Sequence, residues 1–437
     1  MLRNKTKNLI PKGFPYAKES MPLSKIDRPQ KKPDVFLVLM ESFSRQWIEK
    51  YTKEGFEVTP FFNSIIKEGL FVDNFYANTI QTSRALFVIF NGIYESFEDK
   101  TFHKYKNLLL RPLPVILNEE GYRTIFFNAH ADINFDNKAF YLKKMGFHKL
   151  VPMIGDLIKG IPQEKFWNWG IQDDLFFERS FQWLDNFDSI KDEKRKPIFA
   201  VWLTLSHHRP HNRIPRNMRF VYPNASDNDE AKQFANSEYL ADMFLKEFFR
   251  QWKKRPKYKD AIVILVSDHA YPAGLHSINN EKGFYEENFR IPFLIIWNNR
   301  ISPKRIKDLA FNSTDIAPTI LDLLGIDTPN HFFGRSVFAE GPQHTFCVNQ
   351  PYDKKYLVAY NFPFKYVKSM LMNTEQLYNV LKDPEETYDL SKDPRYKEEL
   401  EKGRNSVILL IKNQILLEQN RIWDPRLLYK KHFKSSE

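Results

Sequence analysis

The sequence lacks most features that fix a protein's compartment or mark nucleic-acid binding. Cys347 is the only cysteine among 437 residues, so no disulfide can form within the chain. Cysteine usage therefore indicates neither an oxidising nor a reducing compartment. No RNP-like, zinc-finger or helix-turn-helix signature is present, and we expect no nucleic-acid partner. Internal repeats and low-complexity linkers are absent as well.

Long apolar runs are also missing. No stretch reaches the roughly 18 to 20 apolar residues that a membrane span requires. The basic start, MLRNKTKNLIPKG, has no apolar core of the kind found in secretory signals. Two locations fit this pattern. If a membrane region precedes this chain, we expect the periplasmic or extracellular face of the cell envelope, and otherwise the cytoplasm.

Apolar residues and positive charge are both plentiful. Apolar residues make up 42% of the chain and include 39 Phe, which is enough for a large core. Lys and Arg number 65 against 54 Asp and Glu, giving a formal net charge of +11. Such an excess favours anionic partners. We expect a phospholipid or phosphorylated glycan substrate and contact with an anionic membrane surface.

Buried-type strands alternate with amphipathic helices along most of the chain, which predicts an α/β fold with a central, mostly parallel sheet flanked by helices. Residues 1–33 form a polar, proline-containing leader. Residues 34–329 form the main domain. Shorter β-like segments and a charged helix then predict a smaller C-terminal α+β subdomain over residues 330–437, packed on the main domain.

Two apolar strands end in potential metal ligands. The run AIVILVSDH leads into Asp268 and His269, and the run VFLVLM leads into Glu41. Open α/β sheets bind ligands at the carboxyl ends of their strands. A carboxylate next to an imidazole offers two ligands to a divalent metal. A single strand with this ending would indicate only a capping Asp, but the second strand favours a metal site.

A hydroxyl-bearing segment precedes the next apolar helix. In Gln81-Thr82-Ser83-Arg84, either Thr82 or Ser83 would lie at a helix start, where unpaired backbone N–H groups favour an anion. A simple N-cap would explain this hydroxyl equally well. Taken with the two strands, the pattern predicts that Glu41, Thr82, Asp268 and His269 converge on one metal beside an anion site.

The order of these motifs resembles the alkaline-phosphatase-like superfamily, in its sulfatase-fold branch, and within it the lipoteichoic-acid-synthase-like phosphoglycerol transferases. The resemblance covers nearly the whole chain. It rests on VFLVLMESFS, TPFFNSIIKEGLFVDNFYANTIQTSRA, LTLSHHRP, VSDHA, NFRIPFLIIW, STDIAPTILDLLGI, FFGRS and LYNVLKDPEETYDLSKDP. It implies a sulfatase-like catalytic domain over residues 34–329.

The resemblance also implies roles for individual residues. Glu41, Thr82, Asp268 and His269 match the ligands of a single divalent metal, usually Mn²⁺ in these transferases, with Zn²⁺ or Mg²⁺ as alternatives. Thr82 matches the nucleophile. His208, in LSHHRP, matches a catalytic histidine that contacts the substrate phosphate or its leaving group.

The substrate-binding residues match the family less closely. His130 aligns with a second pocket histidine. The family's Trp-Asn-Arg-Asp segment appears here as Asp136-Asn137-Lys138-Ala139, so we expect Lys138 to supply the positive charge. Arg84 either orients an anion or pairs with an acidic neighbour. Four further residues either line the pocket or are ordinary loop and core residues: His207, His211, Trp167 and Trp169.

The same stretch separates branches of the superfamily. Sulfatases require a Cys/Ser-x-Pro-x-Arg frame for formylglycine, whereas residues 80–84 read Ile-Gln-Thr-Ser-Arg, which argues against a formylglycine sulfatase. We expect a metal-dependent phosphoglycerol-type transferase that acts on a phosphodiester, a phospholipid headgroup, through a covalent phospho-threonine. The alternatives are a phosphodiesterase, a phosphoethanolamine transferase (whose relatives usually carry several disulfides) and a non-catalytic binding module.

Overall fold

A computed structural model describes residues 13–97, 101–104, 107–167, 169–188, 195–211, 214–272, 276, 283–350 and 355–428. Within these residues, the strands before the C-terminal region are β1 (Val35–Met40), β2 (Leu70–Tyr76), β3 (Arg123–Asn128), β4 (Lys149–Pro152), β5 (Phe166–Trp167), β6 (Gly170–Ile171), β7 (Ile198–Leu203), β8 (Ile262–Ser267), β9 (Arg290–Ile296) and β10 (Lys304–Asn312). Strands β5 and β6 form a separate ribbon, and the others form the central sheet.

The central sheet is almost entirely parallel. Its strand order is β10-β2-β9-β8-β1-β7-β3-β4, and β9 runs antiparallel to both of its neighbours. The remaining neighbouring pairs are parallel. All six residues of β1 and of β8 are buried, as expected for parallel strands covered on both faces. The predicted fold class is therefore confirmed for the main domain.

Helices pack on both faces of this sheet. The helices of the described residues are α1 (Pro60–Ile65), α2 (Thr82–Asn91), α3 (Thr101–Lys104), α4 (Leu113–Glu119), α5 (Lys138–Lys144), α6 (Asp173–Asp188), α7 (Glu230–Lys253), α8 (Glu286–Phe289), α9 (Ile316–Leu324) and α10 (Lys397–Glu418). Two apolar clusters result, one on each face. Val35, Leu37 and Leu39 of β1 belong to the first, and the alternating residues Phe36 and Val38 belong to the second.

The helix that begins at Thr82 ends at Gly92, whose left-handed backbone (φ 60°) terminates it without a Cβ penalty. A Cβ at this position would also meet the ring of Phe332. Gly92 and Phe332 therefore set where α2 stops against the loop that follows α9.

The C-terminal region forms a second, smaller layer. It contains β11 (Phe346–Gln350), β12 (Tyr356–Asn361), β13 (Phe364–Ser369) and β14 (Glu375–Asn379) in an antiparallel sheet of that order. One face packs on the edge of the central sheet at Tyr76 and Ala310. The other is covered by α10 through Leu400, Val407 and Leu410. The predicted C-terminal α+β subdomain is confirmed, whereas the boundaries at residues 33 and 329 stay predictions.

Candidate active site

The candidate site lies at the carboxyl ends of four neighbouring parallel strands, β8, β1, β7 and β3. Met40 of β1 is paired with Ser267 of β8. The next residues along each strand, Glu41 and Asp268, are therefore neighbours at the edge of the sheet. This is the position at which open α/β sheets bind ligands, and it is where the sequence predicted the metal site.

Three potential ligands form a buried cluster. The ligand atoms of Glu41, Asp268 and His269 all lie within 4.8 Å of one another, and all three residues are buried. His269 Nδ1 donates a hydrogen bond to the Ala270 carbonyl oxygen at 3.0 Å. Since a carbonyl only accepts, the Nδ1 position carries the proton and Nε2 presents its lone pair. Nε2 lies 3.5 Å from Glu41 Oε1 and 3.5 Å from Asp268 Oδ2.

The electrostatics of this cluster fit a cation. Burial and the charge of Glu41 raise the pKa of Asp268 to about 6. Burial would also raise the pKa of Glu41, but nearby His208 and His269 and the hydroxyls of Ser42 and Thr82 lower it. Asp268 Oδ2 is buried with no hydrogen-bond partner among the described residues. Two ligands about 2.1 Å from one ion lie roughly 3.0–3.4 Å apart. This is close to the 3.5 Å that separates His269 Nε2 from each of the two carboxylates.

Thr82 joins the cluster through its hydroxyl. It is the first residue of α2, and Oγ1 donates a hydrogen bond to Glu41 Oε2 at 3.2 Å. The N-cap residue of the helix is Gln81, which makes no capping hydrogen bond through its side chain. The hydroxyl of Thr82 therefore does not serve as the N-cap and lies instead among the potential metal ligands.

Two histidines predicted to contact substrate follow the neighbouring strands. His208 follows β7 and is half-buried, and its Nδ1 donates to the Arg209 carbonyl oxygen at 2.7 Å. That hydrogen bond occupies Nδ1 and leaves Nε2 as the ring nitrogen that faces away from the backbone contact. His130 follows β3, and its Nδ1 accepts the Asp132 N–H at 2.9 Å. Burial lowers the pKa of His130, with the charge of Lys138 adding to the effect.

Lys138 is buried at the start of α5. Its Nζ lies 3.4 Å from Asn128 Oδ1, at the end of β3. Burial lowers the pKa of Lys138, while the negative charges of Glu41 and Asp268 oppose that shift. The ammonium group is therefore electrostatically coupled to the carboxylates of the cluster, although it lies on a helix and they follow strands.

The two tryptophans of the FWNWG segment divide between the two predicted roles. Trp167 is buried in a core cluster with Leu240 and Phe244. Trp169 is 45% exposed, and its ring centroid lies 4.6 Å from that of His208 and 5.6 Å from that of His130. Trp169 thus borders the site, and Trp167 is a core residue.

Arg84 pairs with an acidic neighbour, which was one of its two predicted roles. Its Nη1 donates to Glu95 Oε2 and to the Ser96 carbonyl oxygen, the latter at 2.7 Å. Both side chains of the ion pair are almost fully buried. Through these contacts Arg84 anchors α2 to the segment that follows it. A substrate contact by Arg84 stays a prediction.

His207 and His211 are buried beside the site. His207 Nε2 lies 2.8 Å from Glu238 Oε2, while Glu238 Oε1 accepts the Ser44 N–H at 2.8 Å. Glu238 therefore links the loop after β1 to the loop after β7. Burial lowers the pKa of His211 well below its usual value. His207 thus supports the loops, whereas His211 packs against the rings of His207 and Tyr271. A substrate contact by either histidine stays a prediction.

Several positioning residues were not predicted. Thr204 Oγ1 accepts the Glu41 N–H at 2.8 Å, and Ser42 contacts both carboxylates. Asp173 accepts the N–H groups of Leu205 and Ser206 at the end of β7. Only Thr204 had a usable signal, because it directly follows the apolar residues of β7. No sequence pattern distinguishes Ser42 or Asp173 from other polar residues.

Comparisons with known proteins agree with this geometry. Residues 33–326 match the family described as Sulfatase, and residues 274–413 match N-sulphoglucosamine sulphohydrolase, C-terminal. Lipoteichoic acid synthase 2 of Bacillus subtilis is 26% identical over 316 residues, covering 69% of this chain and 46% of that protein. The lipoteichoic acid synthase of Staphylococcus saprophyticus is 27% identical over 314 residues, with the same coverage. The chain spans about half the length of these curated relatives.

Solved structures share the fold. A protein of the alkaline phosphatase superfamily from Vibrio parahaemolyticus superposes with a TM-score of 0.74 at 21% identity, covering 94% of this chain and 92% of that one. The lipoteichoic acid synthase LtaP from Listeria monocytogenes gives a TM-score of 0.68 at 18% identity, covering 90% and 96%. At these identities the likeness shows the fold alone.

The sheet, with a carboxylate–histidine cluster at its carboxyl edge, defines an α/β protein with the alkaline-phosphatase-like fold. The chain belongs to the Sulfatase family, whose match spans more than half of its length. The predicted resemblance is confirmed. Sulfatase-fold enzymes of this superfamily use a divalent metal, and the buried cluster has a suitable ligand set. Among the helices of the described residues, none is long and apolar enough to cross a membrane.

Proposed function

We propose that this chain is a metal-dependent phosphoglycerol-type transferase that acts on the phosphodiester of a phospholipid headgroup, with Thr82 as the nucleophile. One observation carries the proposal: the Thr82 hydroxyl lies 3.2 Å from Glu41 Oε2, inside the cluster that Glu41 forms with Asp268 and His269. The similarity to proteins named as lipoteichoic acid synthases supports the reaction class.

Glu41, Asp268 and His269, together with the Thr82 oxygen, would hold one divalent cation. We assign Mn²⁺, which the family resemblance implies and which carboxylate ligands suit; Zn²⁺, which imidazole suits, and Mg²⁺ are the alternatives. When bound, such a cation neutralises charge on phosphoryl oxygens and lowers the pKa of a nearby hydroxyl.

In the first step, Thr82 Oγ1 attacks phosphorus. The Oγ1–P bond forms as the bond from phosphorus to the leaving alcohol oxygen breaks, which leaves a covalent phospho-threonine. The hydroxyl proton moves along the hydrogen bond to Glu41 Oε2. The backbone N–H groups at the start of α2 favour the charge on the phosphoryl oxygens. His208 donates a proton from Nε2 to the leaving oxygen, a role typically worth about 10²- to 10⁴-fold in rate.

In the second step, an acceptor hydroxyl gives its proton to His208 and attacks the phosphorus. The Thr82 oxygen then leaves and recovers its proton from Glu41. A polyol or glycan acceptor makes the enzyme a transferase, whereas water makes it a phosphodiesterase. His130, His208 and Lys138 are the side chains that we assign to binding the substrate phosphate.

We place this reaction at an anionic membrane surface of the cell envelope. The formal net charge of +11 supports that placement. Basic residues close to an anionic leaflet contribute about 1 kcal/mol each to membrane association.

Intact-mass analysis after incubation with phosphatidylglycerol and Mn²⁺ tests the proposal. We expect an adduct with the mass of a phosphoglycerol group on Thr82. The adduct should be lost in Thr82→Ala and kept in Ser83→Ala, a matched control at the neighbouring hydroxyl. An adduct that persists in Thr82→Ala, or none in the wild type, would rule out the proposed nucleophile. An adduct formed only from phosphatidylethanolamine would assign the chain to the phosphoethanolamine transferases.

A further inference from the structure

Ser42 has a backbone conformation that is uncommon for its residue type. It lies between Glu41 and Phe43 with φ 54°, in the left-handed region, and it is buried. A residue other than glycine in this region costs on the order of 1 kcal/mol or more, so the surrounding structure must hold it there. Such residues concentrate at functional sites, which makes the contacts of Ser42 informative.

Those contacts reach both carboxylates of the cluster. The Ser42 N–H donates to Asp268 Oδ1 at 3.0 Å, and its Oγ donates to Glu41 Oε1 at 2.8 Å. Glu41 follows β1 and Asp268 follows β8, so one residue connects ligands carried by two different strands. Because both donors belong to Ser42, its two hydrogen bonds tie the side chains of the two carboxylates to one residue.

The hydrogen bonds also fix which oxygen of Asp268 faces the potential metal position. Oδ1 accepts the Ser42 N–H and, at 2.8 Å, the His269 N–H. Oδ2 is the atom without a hydrogen-bond partner among the described residues, 3.5 Å from His269 Nε2. The donors therefore hold one edge of the carboxylate and leave the other directed at the imidazole.

We infer that Ser42 is a positioning residue for the cation: its hydroxyl and N–H hold Glu41 and Asp268 at ligand spacing. The inference rests on the proposed function, because it assumes that the cluster binds a metal. Hydrogen-bonding partners of metal ligands typically change metal affinity by about 10- to 100-fold when they are removed. The backbone strain at Ser42 is the cost of placing both donors correctly.

Mn²⁺ titration followed by electron paramagnetic resonance tests this role without measuring turnover. We expect Ser42→Ala and Ser42→Gly each to weaken Mn²⁺ binding by about 10- to 100-fold and to broaden the spectrum of bound Mn²⁺. Ser42→Gly also relieves the left-handed strain, so its metal-free form should melt no lower than that of Ser42→Ala. Ser44→Ala, a buried serine two residues along the same loop, is the matched control and should bind within twofold of the wild type.

The possible outcomes are distinguishable. If Ser42→Ala and Ser42→Gly both bind Mn²⁺ within twofold of a tightly binding wild type, the role of Ser42 is wrong and the metal site stands. Equal weakening in Ser44→Ala would also overturn it, because any change in the loop would then suffice. If the wild type and Asp268→Asn fail alike to bind Mn²⁺, the proposed metal site itself is wrong, and the inference falls with it.

Discussion

The site has two halves that differ in how firmly their residues are held. In one half, Glu41 and Asp268 are fully buried, and hydrogen bonds from Ser42 and Thr82 hold their side chains. In the other half, His208 is half-buried and Trp169 is 45% exposed, both on loops that follow the strands. Bond-making chemistry needs ligands fixed within about 0.5 Å, whereas exposed loops can vary with the substrate. We therefore assign metal binding and the nucleophile to the first half, here called the fixed half (Glu41, Ser42, Thr82 and Asp268). We assign substrate choice, together with proton transfer by His208, to the second, here called the open half.

The largest expected effect concerns the support of the fixed half. Arg84→Met removes the ion-pair partner of the buried Glu95, which keeps hydrogen bonds from Asn349 at 2.7 Å and Thr79 at 3.3 Å. Breaking one partner of a buried ion pair costs about 3–5 kcal/mol. We expect that loss in the free energy of unfolding, measured by urea denaturation. The folded enzyme should show little change in kcat/KM.

The matched control is Arg404→Met, which removes an exposed pair with Glu375. Exposed pairs contribute about 0–1 kcal/mol, so this variant should lose little stability. The double variant Arg84→Met/Glu95→Gln should recover part of the loss. A stable Arg84→Met enzyme with a strongly reduced kcat/KM would show that Arg84 contacts substrate, and the fixed half would then carry recognition as well.

Lys138, which we assign to binding the substrate phosphate, tests whether substrate binding and the metal ligands are electrostatically connected. Lys138→Met should lower kcat/KM for adduct formation by roughly 10- to 100-fold, because hydrogen bonds to charged groups contribute about 1.5–3 kcal/mol. The same change should tighten Mn²⁺ binding, since it removes a positive charge that interacts with Glu41 and Asp268. Steady-state kinetics and Mn²⁺ titration on one preparation measure both effects.

Lys143 lies on the exposed side of the same helix, so Lys143→Met should change neither kcat/KM nor Mn²⁺ affinity. If Lys138→Met weakens Mn²⁺ binding, the ammonium group supports the ligand geometry rather than the substrate. Lys138 would then belong with the metal ligands of the fixed half.

Much of the fold and the fixed half could be predicted from the sequence. Strands β1 and β8 are uninterrupted apolar runs, and the residues after them lie at one edge because both strands are parallel. By contrast, β2 was not predicted, because LFVDNFY contains Asp73 and Asn74. Those two residues are buried through side-chain contacts with Arg305 and with the Lys307 carbonyl oxygen, from β10, which is distant in sequence. Strand β10 itself was missed because KRIKDLAFN is largely polar and lies at the sheet edge.

The unpredicted part of the site has the same physical origin. Glu238 holds the loops after β1 and β7 together from the middle of α7. Ser42 adopts a backbone conformation that no local sequence pattern predicts. Both depend on contacts between segments that only the folded chain brings together. A motif identifies the ligands because the ligands follow strands, but it does not identify the residues that hold them.

The smallest expected effect tests the open half. The exposed Trp169 ring packs edge-on against His208, and aromatic contacts of this kind contribute about 0.5–1.5 kcal/mol. Trp169→Ala should therefore raise KM for the lipid donor by roughly two- to tenfold while Mn²⁺ affinity stays within twofold of the wild type. Trp169→Phe keeps an aromatic face and should recover most of the loss. If Trp169→Phe raises KM as much as Trp169→Ala does, the aromatic face of the ring does not act on substrate. Weaker Mn²⁺ binding by Trp169→Ala would also contradict a role confined to substrate. The open half would then contribute to the geometry of the metal site, because a loop that determines only substrate choice should leave metal affinity unchanged.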